Sequence, residues 1–464
     1  MNAQSLLKQV SDFCRQTGMA ESTFGRRAVN DGKFVNRLRM GGRITLETVE
    51  RVTNFMSERA GSEPSFIAPS RRHGEEATVT PISLLQARPE KNFRFYDNRQ
   101  KYLMFVNTCS EKRVVANRVA LELANIHPRP PAVRLFDAGV GDGTVLARVM
   151  RSMHQRFERM PHYVVGKEIS LEDVRLALEK MPDRFHEHPA TVLMLTNLYY
   201  REAPYLMPDS VAAASSFVWH EAPLRGSTAA DFEEQINGLE PFLAKNWRAS
   251  ISRKSGNPTY EKPIVLVLYL EEYRFLLDQV IPRRGAIRAD YDLVIASQPY
   301  RAQASAAFKA QKVIAPLALS LAPGGRLIGI HSAGEDPGLE IIQCVWPDEQ
   351  PFRTTRHDIM RETRNAMGGR ARYFNFNTYS DERSIFRYEM YTLPHEIDAE
   401  TPIGTSTLFA AWNDAAYVAQ IEDERLAQAM GDTKYLEATR EVLKKHGGLW
   451  FRDESYVISR KRDH

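Results

Sequence analysis

Cysteine is scarce in this chain: Cys14, Cys109 and Cys344 are the only three in 464 residues. Their odd number and wide spacing exclude a disulfide framework and a cysteine zinc site, and fit a reducing cytoplasm. Long apolar runs are missing too. The longest, IVLVLYL at 264–270, falls far short of the roughly 20 residues that span a bilayer, so no membrane partner is expected. The start, MNAQSLLKQVSDFCRQ, lacks the basic, apolar and small-residue segments of a secretory signal and is taken as part of the fold. No internal repeat occurs at periods of about 20 to 50 residues. A strong charge of one sign is also absent: the net charge is +4. Residues 1–60 hold 10 Lys or Arg against 6 Asp or Glu, leaving 52 of each beyond, so the whole surplus is N-terminal. What remains is an ordinary composition, 43% apolar and 26% charged, long enough for two or three domains.

The N-terminal 60 residues read as a small all-α domain. Leu6, Leu7, Val10, Phe13 and Cys14 recur at helical spacing over 5–17, and Gly18 breaks the pattern. A short helix is expected from Ala20, a turn at Asp31 and Gly32, a loop around Gly41 and Gly42, and a longer helix from Thr45 to Met56. This stretch resembles the helix-turn-helix domain of phage-repressor-like regulators. The resemblance puts Gly18 in the turn and Ser22, Thr23, Arg26 and Arg27 on the helix facing DNA, where arginine reads guanine edges. The competing reading is a packing or dimerisation module whose arginines form a solvated face. Residues 61–91, rich in Ser, Pro, Glu and Arg without periodicity, read as a linker. From 92 the periodicity returns as two helices capping a sheet.

LFDAGVGDGTVLARVM at 135–150 passes from a strand through three glycines into a helix. Such a turn brings backbone N–H groups up to a nucleotide. The dinucleotide fingerprint sets its third glycine three positions after the second; Gly139, Gly141 and Gly143 are spaced at two and two, with Thr144 where that glycine should fall. No Gly-Lys-Ser/Thr follows, which excludes a Walker loop. With Asp137 the pattern is D-x-G-x-G-x-G, and it resembles the first motif of class I, Rossmann-like S-adenosylmethionine-dependent methyltransferases. HYVVGKEIS ends a second strand at Glu168, 25 residues beyond Gly143. ATVLMLTNLYY gives a third strand ending near Asn197. DYDLVIASQPYRAQ and SLAPGGRLIGIHS resemble the family's fourth and fifth strands, joined by a helix at 302–321 and a Pro-Gly-Gly turn.

The resemblance, spanning about 130–335, implies an α/β fold: a Rossmann-like seven-stranded methyltransferase sheet with helices on both faces, at 92–400. It implies S-adenosyl-L-methionine as cofactor. Asp137, Gly139, Gly141, Gly143, Glu168 and Ser297 would hold it, Glu168 meeting the ribose hydroxyls, and Asn197 standing where an acidic residue usually meets the adenine amino group. An insertion at about 200–285 interrupts the match, and within it Glu271 is a rival adenine ligand. A hairpin joined by DER is expected from RYFNFNTYS and SIFRYEMYTL. Residues 401–464 are expected as a C-terminal extension packed on this domain, with a second hairpin in GGLWFRDESYVISRKR.

Methyl transfer needs donor and acceptor held in line, water excluded and, for some acceptors, a proton removed. The acceptor should lie at the carboxyl ends of the strands, beside Ser297, Gln298, Pro299 and Tyr300. Tyr300, Gln298 and His331 are the catalytic candidates, with His220 a further base. Base- or glutamine-amino methyltransferases carry Pro-Pro and an aromatic in this loop; here Gln298 replaces the first proline. His186 and His188 one residue apart, with no second cluster, read as solvated surface rather than metal ligands, and no metal is expected. The implied activity is methyl transfer to an acceptor the motifs do not identify, in the cytoplasm, with the N-terminal domain docking to DNA or a partner. A homodimer is compatible. The alternatives are a DNA-binding regulator whose methyltransferase-like domain senses the cofactor without catalysis, and a nucleic-acid base amino-methyltransferase.

Overall fold

The computed structural model describes residues 99–252, 258–392, 396–397 and 402–462. Nearer the N-terminus it describes 6–7, 9–11, 13–14, 21–29, 31–39, 48, 51–53 and 55–56. The chain divides into two compact units, Met1–Gln86 and Ala87–His464. The expected linker at 61–91 lies outside the described residues, as does the turn residue Gly18.

In the first unit, Leu6, Val10, Cys14, Phe24, Phe34, Val35, Leu38 and Val52 form one buried cluster. Phe24 packs edge-to-face on Phe13 and Phe55, with ring centroids 5.7 and 5.4 Å away. A helix at Glu21–Val29 matches the expected one, and Gly32 lies in the turn that follows. The turn then leads into a further helix, Phe34–Arg39, which was not expected: its apolar positions, Phe34, Val35 and Leu38, are too few to reveal a period.

The second unit is built on a sheet of twelve-strand numbering in which ten strands join. In chain order the strands are β1 (Val133–Asp137), β2 (His162–Lys167), β3 (Thr191–Thr196), β4 (Val218–Leu224), β5 (Ala249–Ile251) and β6 (Pro258–Tyr260). They continue with β7 (Ile264–Leu270), β8 (Tyr291–Ser297), β9 (Leu321–Ser332), β10 (Phe374–Asn377), β11 (Ile385–Glu389) and β12 (Trp450–Arg460). β5 and β6 form a separate two-stranded ribbon, and the main sheet runs β10-β12-β9-β8-β1-β2-β3-β7-β4, with β11 also on β12. The five central strands β3-β2-β1-β8-β9 are mutually parallel. Burial on both faces explains why β2, β3 and β7 are almost continuously apolar rather than alternating. One face carries the helices Thr144–Arg156, Leu171–Leu178 and Met181–Glu187, and the other Ala315–Leu319 and Arg356–Met367.

The sheet is thus larger than the expected seven strands. The insertion contributes β7, antiparallel to β3, and β4 beyond it. Neither expected hairpin forms. β10 and β11 run in line along one edge of β12, interrupted by the single turn Asp381–Ser384, and each pairs antiparallel with β12. GGLWFRDESYVISRKR is one long strand rather than two, and it lies inside the sheet between β9 and the β10/β11 edge. The polar run Asp453, Glu454, Ser455 within it is buried strand. The helix expected from 302 begins at Ala306, where the Ser305 hydroxyl accepts the Phe308 N–H. It passes through a π turn at Ala310–Ile314 ahead of Pro316, whose missing N–H removes one bond of the regular ladder. Pro-Gly-Gly is an irregularity within β9 rather than a turn before it, with Gly324 at φ +84°.

Three histidines stack at the amino ends of β2 and β3. The rings of His162 and His188 lie 3.8 Å apart and parallel, and His154 lies 5.3 Å from His162. His188 is therefore buried rather than the solvated residue expected. Parallel rings direct their nitrogens side by side, which is unsuited to sharing one metal ion. Burial, then the neighbouring imidazoles, hold His154 down at about 4 and His162 at about 2. The unfolded chain takes up these protons as pH falls through about 6.5, so below that the folded state binds fewer and loses stability until it too is protonated. The fall in melting temperature between about pH 7.5 and pH 5 should accordingly be smaller in His162→Phe than in the native protein. Equal falls in scanning fluorimetry would contradict this.

Candidate functional site

β1 has β2 on one side and β8 on the other, which makes the carboxyl end of β1 the point where strand order reverses. In open α/β sheets a ligand crevice forms there. The glycine loop enters this crevice directly from β1. Gly141 (φ +54°) and Gly143 (φ +81°) lie in the left-handed region that glycine enters freely. A Cβ on Gly143 would stand 2.6 Å from the Ala177 Cα, and one on Gly141 would stand 2.8 Å from the Tyr102 hydroxyl oxygen. Gly139 differs: its missing side chain leaves open space, with the Ser297 carbonyl oxygen, 3.9 Å away, the nearest atom. The loop therefore has a tightly supported back at Gly141 and Gly143 and a vacant front at Gly139.

That back is held by residues the sequence did not single out. The Tyr102 hydroxyl accepts the Asp142 N–H at 3.0 Å and donates to its carboxylate at 3.2 Å. Lys180 donates to the Asp142 carbonyl at 2.6 Å, and the Thr144 hydroxyl donates to the Asp142 carboxylate. Tyr102 comes from the helix Arg99–Thr108, some forty residues before the loop, at no spacing that a motif could reveal.

The Glu168 carboxylate accepts the Gly141 N–H at 2.9 Å and the N–H groups of Ile169 and Ser170 at 2.7 and 2.9 Å, tying the end of β2 to the loop. Asp137, buried at the end of β1, accepts the Gly139 N–H at 3.2 Å. Burial, reinforced by the Glu168 charge, pushes Asp137 up to about 7 against the Gly139 bond that favours its ionised form. A cationic group arriving beside it would return it to the carboxylate.

Both expected adenine ligands are displaced. Asn197 is buried and its amide is spent on backbone, donating to the Lys262 carbonyl and accepting the Ile264 N–H, each at 2.8 Å. It fastens the start of β7 to the end of β3. Because β7 runs antiparallel to β3, Glu271 at its far end stands at the amino edge of the parallel strands, the opposite side of the sheet from the loop. His220 is on β4, the outermost strand, where its ring stacks on Phe242 at 4.2 Å, and so it is remote from the crevice.

Across the crevice, Ser297 ends β8 and Gln298 follows at φ +47°, strained for a residue with a side chain. The Gln298 amide donates to the Ser332 hydroxyl at 3.0 Å. Gln298, Tyr300 and His331 come together with Lys309, Ser332, Phe352 and Thr354 around one recess. Within it the Tyr300 hydroxyl lies 3.0 Å from His331 Nδ1 and 3.2 Å from the Tyr456 hydroxyl, and His331 Nε2 lies 2.8 Å from Glu454. Arg356 clamps Glu454 through its backbone N–H at 2.7 Å and its guanidinium at 2.9 Å. Burial raises Glu454, but the His331 bond and the Arg356 guanidinium outweigh it and hold the acid at about 2. Burial lowers His331 despite Glu454, and lowers Lys309 to about 8. The sequence offered Tyr300 and His331; Glu454 lay inside the stretch expected as a hairpin.

In the N-terminal unit, Arg26 is exposed and Thr23 half-buried on the helix Glu21–Val29; the side chains of Ser22 and Arg27 lie outside the described residues. Arg37 pairs with Asp31 at 2.8 Å and Arg39 with Glu21 at 2.9 Å, which offsets part of the local positive surplus. Among the described residues no group of three or more His, Cys, Asp or Glu could hold a metal ion, and no helix is long and apolar enough to cross a membrane.

No protein-family model matches the chain, and no curated protein matches it. Among solved structures it is similar to a geranyl diphosphate methyltransferase in complex with GPP and sinefungin, at 10% identity and TM-score 0.26 over 74% of this chain and 78% of that one. It is also similar to a putative sarcosine dimethylglycine methyltransferase from Galdieria sulphuraria, at 10% identity and TM-score 0.28 over 76% and 85%. PKMT2 from Rickettsia typhi, in complex with AdoHcy, aligns at 9% identity and TM-score 0.25 over 75% of this chain and 53% of that one. Likenesses this distant transfer no residue role.

The two ends of the loop should respond differently to substitution. Gly143→Ala meets both a positive φ and backbone at 2.6 Å and should cost about 1–3 kcal/mol of stability. Gly139→Ala should stay within about 1 kcal/mol of the native protein. Urea denaturation measures both, and equal losses would refute the assigned geometry.

Proposed function

We propose that the unit Ala87–His464 is an S-adenosylmethionine-dependent methyltransferase. The observation that carries this is the glycine loop at the strand-order reversal, vacant in front of Gly139 and flanked by the carboxylates of Asp137 and Glu168. S-adenosylmethionine, when bound, supplies a methyl group already attached to a good leaving group. It carries no phosphate, which suits a loop without a lysine, and its ammonium and ribose hydroxyls suit Asp137 and Glu168 respectively. Gly139, Gly141 and Gly143 would let the backbone pass beneath it, with Ser297 on the facing side.

Gln298, Tyr300 and His331 would line the acceptor side. Tyr300 is set to take a proton from the acceptor as its own passes to His331 Nδ1, with the Glu454 carboxylate positioning the imidazole and stabilising its charged form and Arg356 holding Glu454 in place. This relay favours a catalyst over a cofactor sensor, which needs no route for a proton. The Pro299 carbonyl is taken by the Tyr200 hydroxyl at 2.6 Å, and Gln298 is left-handed, features that weigh against a base amino-methyltransferase.

Calorimetry with S-adenosylhomocysteine tests the cofactor. The native protein should bind it, and Gly139→Val should bind at least about tenfold more weakly while keeping its melting temperature. A native protein that does not bind, or a variant that binds as well, would remove the proposal.

The N-terminal unit is proposed to dock the enzyme to DNA, with Ser22, Thr23, Arg26 and Arg27 on the contacting helix. Binding to duplex DNA should then weaken steeply with salt and fall when Arg26 and Arg27 are both replaced by Ala. Unchanged affinity in a fluorescence-anisotropy titration would leave a protein-packing module as the answer.

A further inference from the structure

With Asn197 bonded to backbone and Glu271 at the opposite edge, neither expected ligand serves the adenosine end of the proposed cofactor crevice. The inserted segment that follows β3 does. Tyr200 starts beside β3, yet its hydroxyl donates to the Pro299 carbonyl beyond β8 at 2.6 Å. In the sheet order β3-β2-β1-β8 that bond joins loops three strand spacings apart, roughly 14 Å of sheet edge. On the way the Tyr200 ring stands under the Lys167 ammonium, 4.7 Å from its centroid, at the end of β2. Its phenol is pushed up by burial and then by the Glu168 and Asp137 charges, the two carboxylates of the crevice.

The segment carrying Tyr200 is firmly mounted. Glu202, buried, accepts the N–H groups of Tyr199 and Asp209 at 3.1 and 3.0 Å and the Tyr260 hydroxyl at 3.1 Å. The Tyr291 hydroxyl of β8 donates to the Pro204 carbonyl at 2.8 Å, and Ala203 and Leu206 are wholly buried against the sheet. Against this fixed base, one phenol bond fastens the free end of the ring across the crevice.

We infer that Tyr200 is the wall closing the adenosine end of the cofactor crevice, and that its hydroxyl bond to Pro299 sets how fast the cofactor enters and leaves. This rests on the cofactor proposed above. The ring supplies a flat face for a purine, a contact that tolerates loss of the hydroxyl but not of the ring. The hydroxyl also links the cofactor side to the Ser297–Tyr300 loop of the acceptor side, so opening for exchange would release both together.

Stopped-flow and calorimetric titrations of S-adenosylhomocysteine into the native protein, Tyr200→Phe, Tyr200→Ala and Tyr199→Phe separate the outcomes. Tyr200→Phe, which keeps the ring, should release the ligand about two- to tenfold faster, the weight of one hydrogen bond. Tyr200→Ala should weaken equilibrium binding about tenfold or more. Tyr199→Phe, on the same segment but stacked outward on Tyr260, should match the native protein in both. If the native protein binds and Tyr200→Phe releases at the native rate, the clasp is refuted; if Tyr200→Ala binds with native affinity, the wall is refuted. A native protein that binds no S-adenosylhomocysteine refutes the cofactor proposal itself, a result distinct from either.

Discussion

Everything at the candidate site depends on β1 being paired on both sides. β2 and β8 hydrogen-bond to its two edges in parallel, and the Ala138 N–H continues the pairing toward β8 by donating to the Ile295 carbonyl. At the next residues the chain must leave the sheet, and it does so through glycines because the space is bounded behind by Ala177 and Tyr102. Glu168 then fixes the loop from the β2 side by accepting the Gly141 N–H. A short strand held on both edges, a forced exit and a carboxylate brace together produce the crevice.

That much was legible in the sequence because it is local. Asp137, the three glycines and Glu168 sit within one strand-turn-helix-strand unit, where spacing and backbone sterics act over a few residues. What was illegible is non-local. Tyr102 meets the glycine loop, and Tyr200 the loop after β8, from other segments through side-chain contacts that leave no periodicity. The misjudged hairpins have the same origin. A polar run such as Asp453-Glu454-Ser455 breaks an apolar pattern, but a buried strand carries polar residues wherever partners await them. Glu454 meets Arg356 from a helix about a hundred residues earlier in the chain. The order of pairing could not be read either: β10 and β11 share alternating patterns that fit a hairpin equally well, and only the presence of β12 between them and β9 decides otherwise.

The insertion shows how strand direction decides which residues stand at the crevice edge. β7 is as apolar as any parallel strand and ends in two glutamates, so by sequence alone it competes with β3 for the adenine position. Its antiparallel pairing to β3 sends those glutamates to the far edge and brings the segment before it, 258–263, to the carboxyl edge, where 198–217 leaves β3. Reversing one strand thus exchanges which end of β7 lies at the crevice edge. Tyr260 comes to the carboxyl edge for that reason and stacks there on Tyr199, which leaves β3 directly, and Asn197 becomes the fastening between β3 and the reversed strand.

The network below the recess bears on whether this crevice does chemistry. Burying Glu454, Arg356 and His331 together is unfavourable unless every charge is met, and here the carboxylate is bound by two groups of Arg356 and by His331. Apolar residues of similar volume commonly give a fold equal or greater stability, so the position between β9 and β12 does not demand ions. Hydrophobic packing along the remainder of β12, through Tyr456, Val457 and Ile458, already secures the strand. The Glu454–Arg356–His331 group lies at the carboxyl end of β9, beneath Tyr300 and beside the strained Gln298, where an acceptor bound in line with the crevice would sit; a second ionic group, Arg326 with Glu122 and Arg118, lies farther along β9. The position of the Glu454 group beside the recess is where the proton relay proposed above would make use of it.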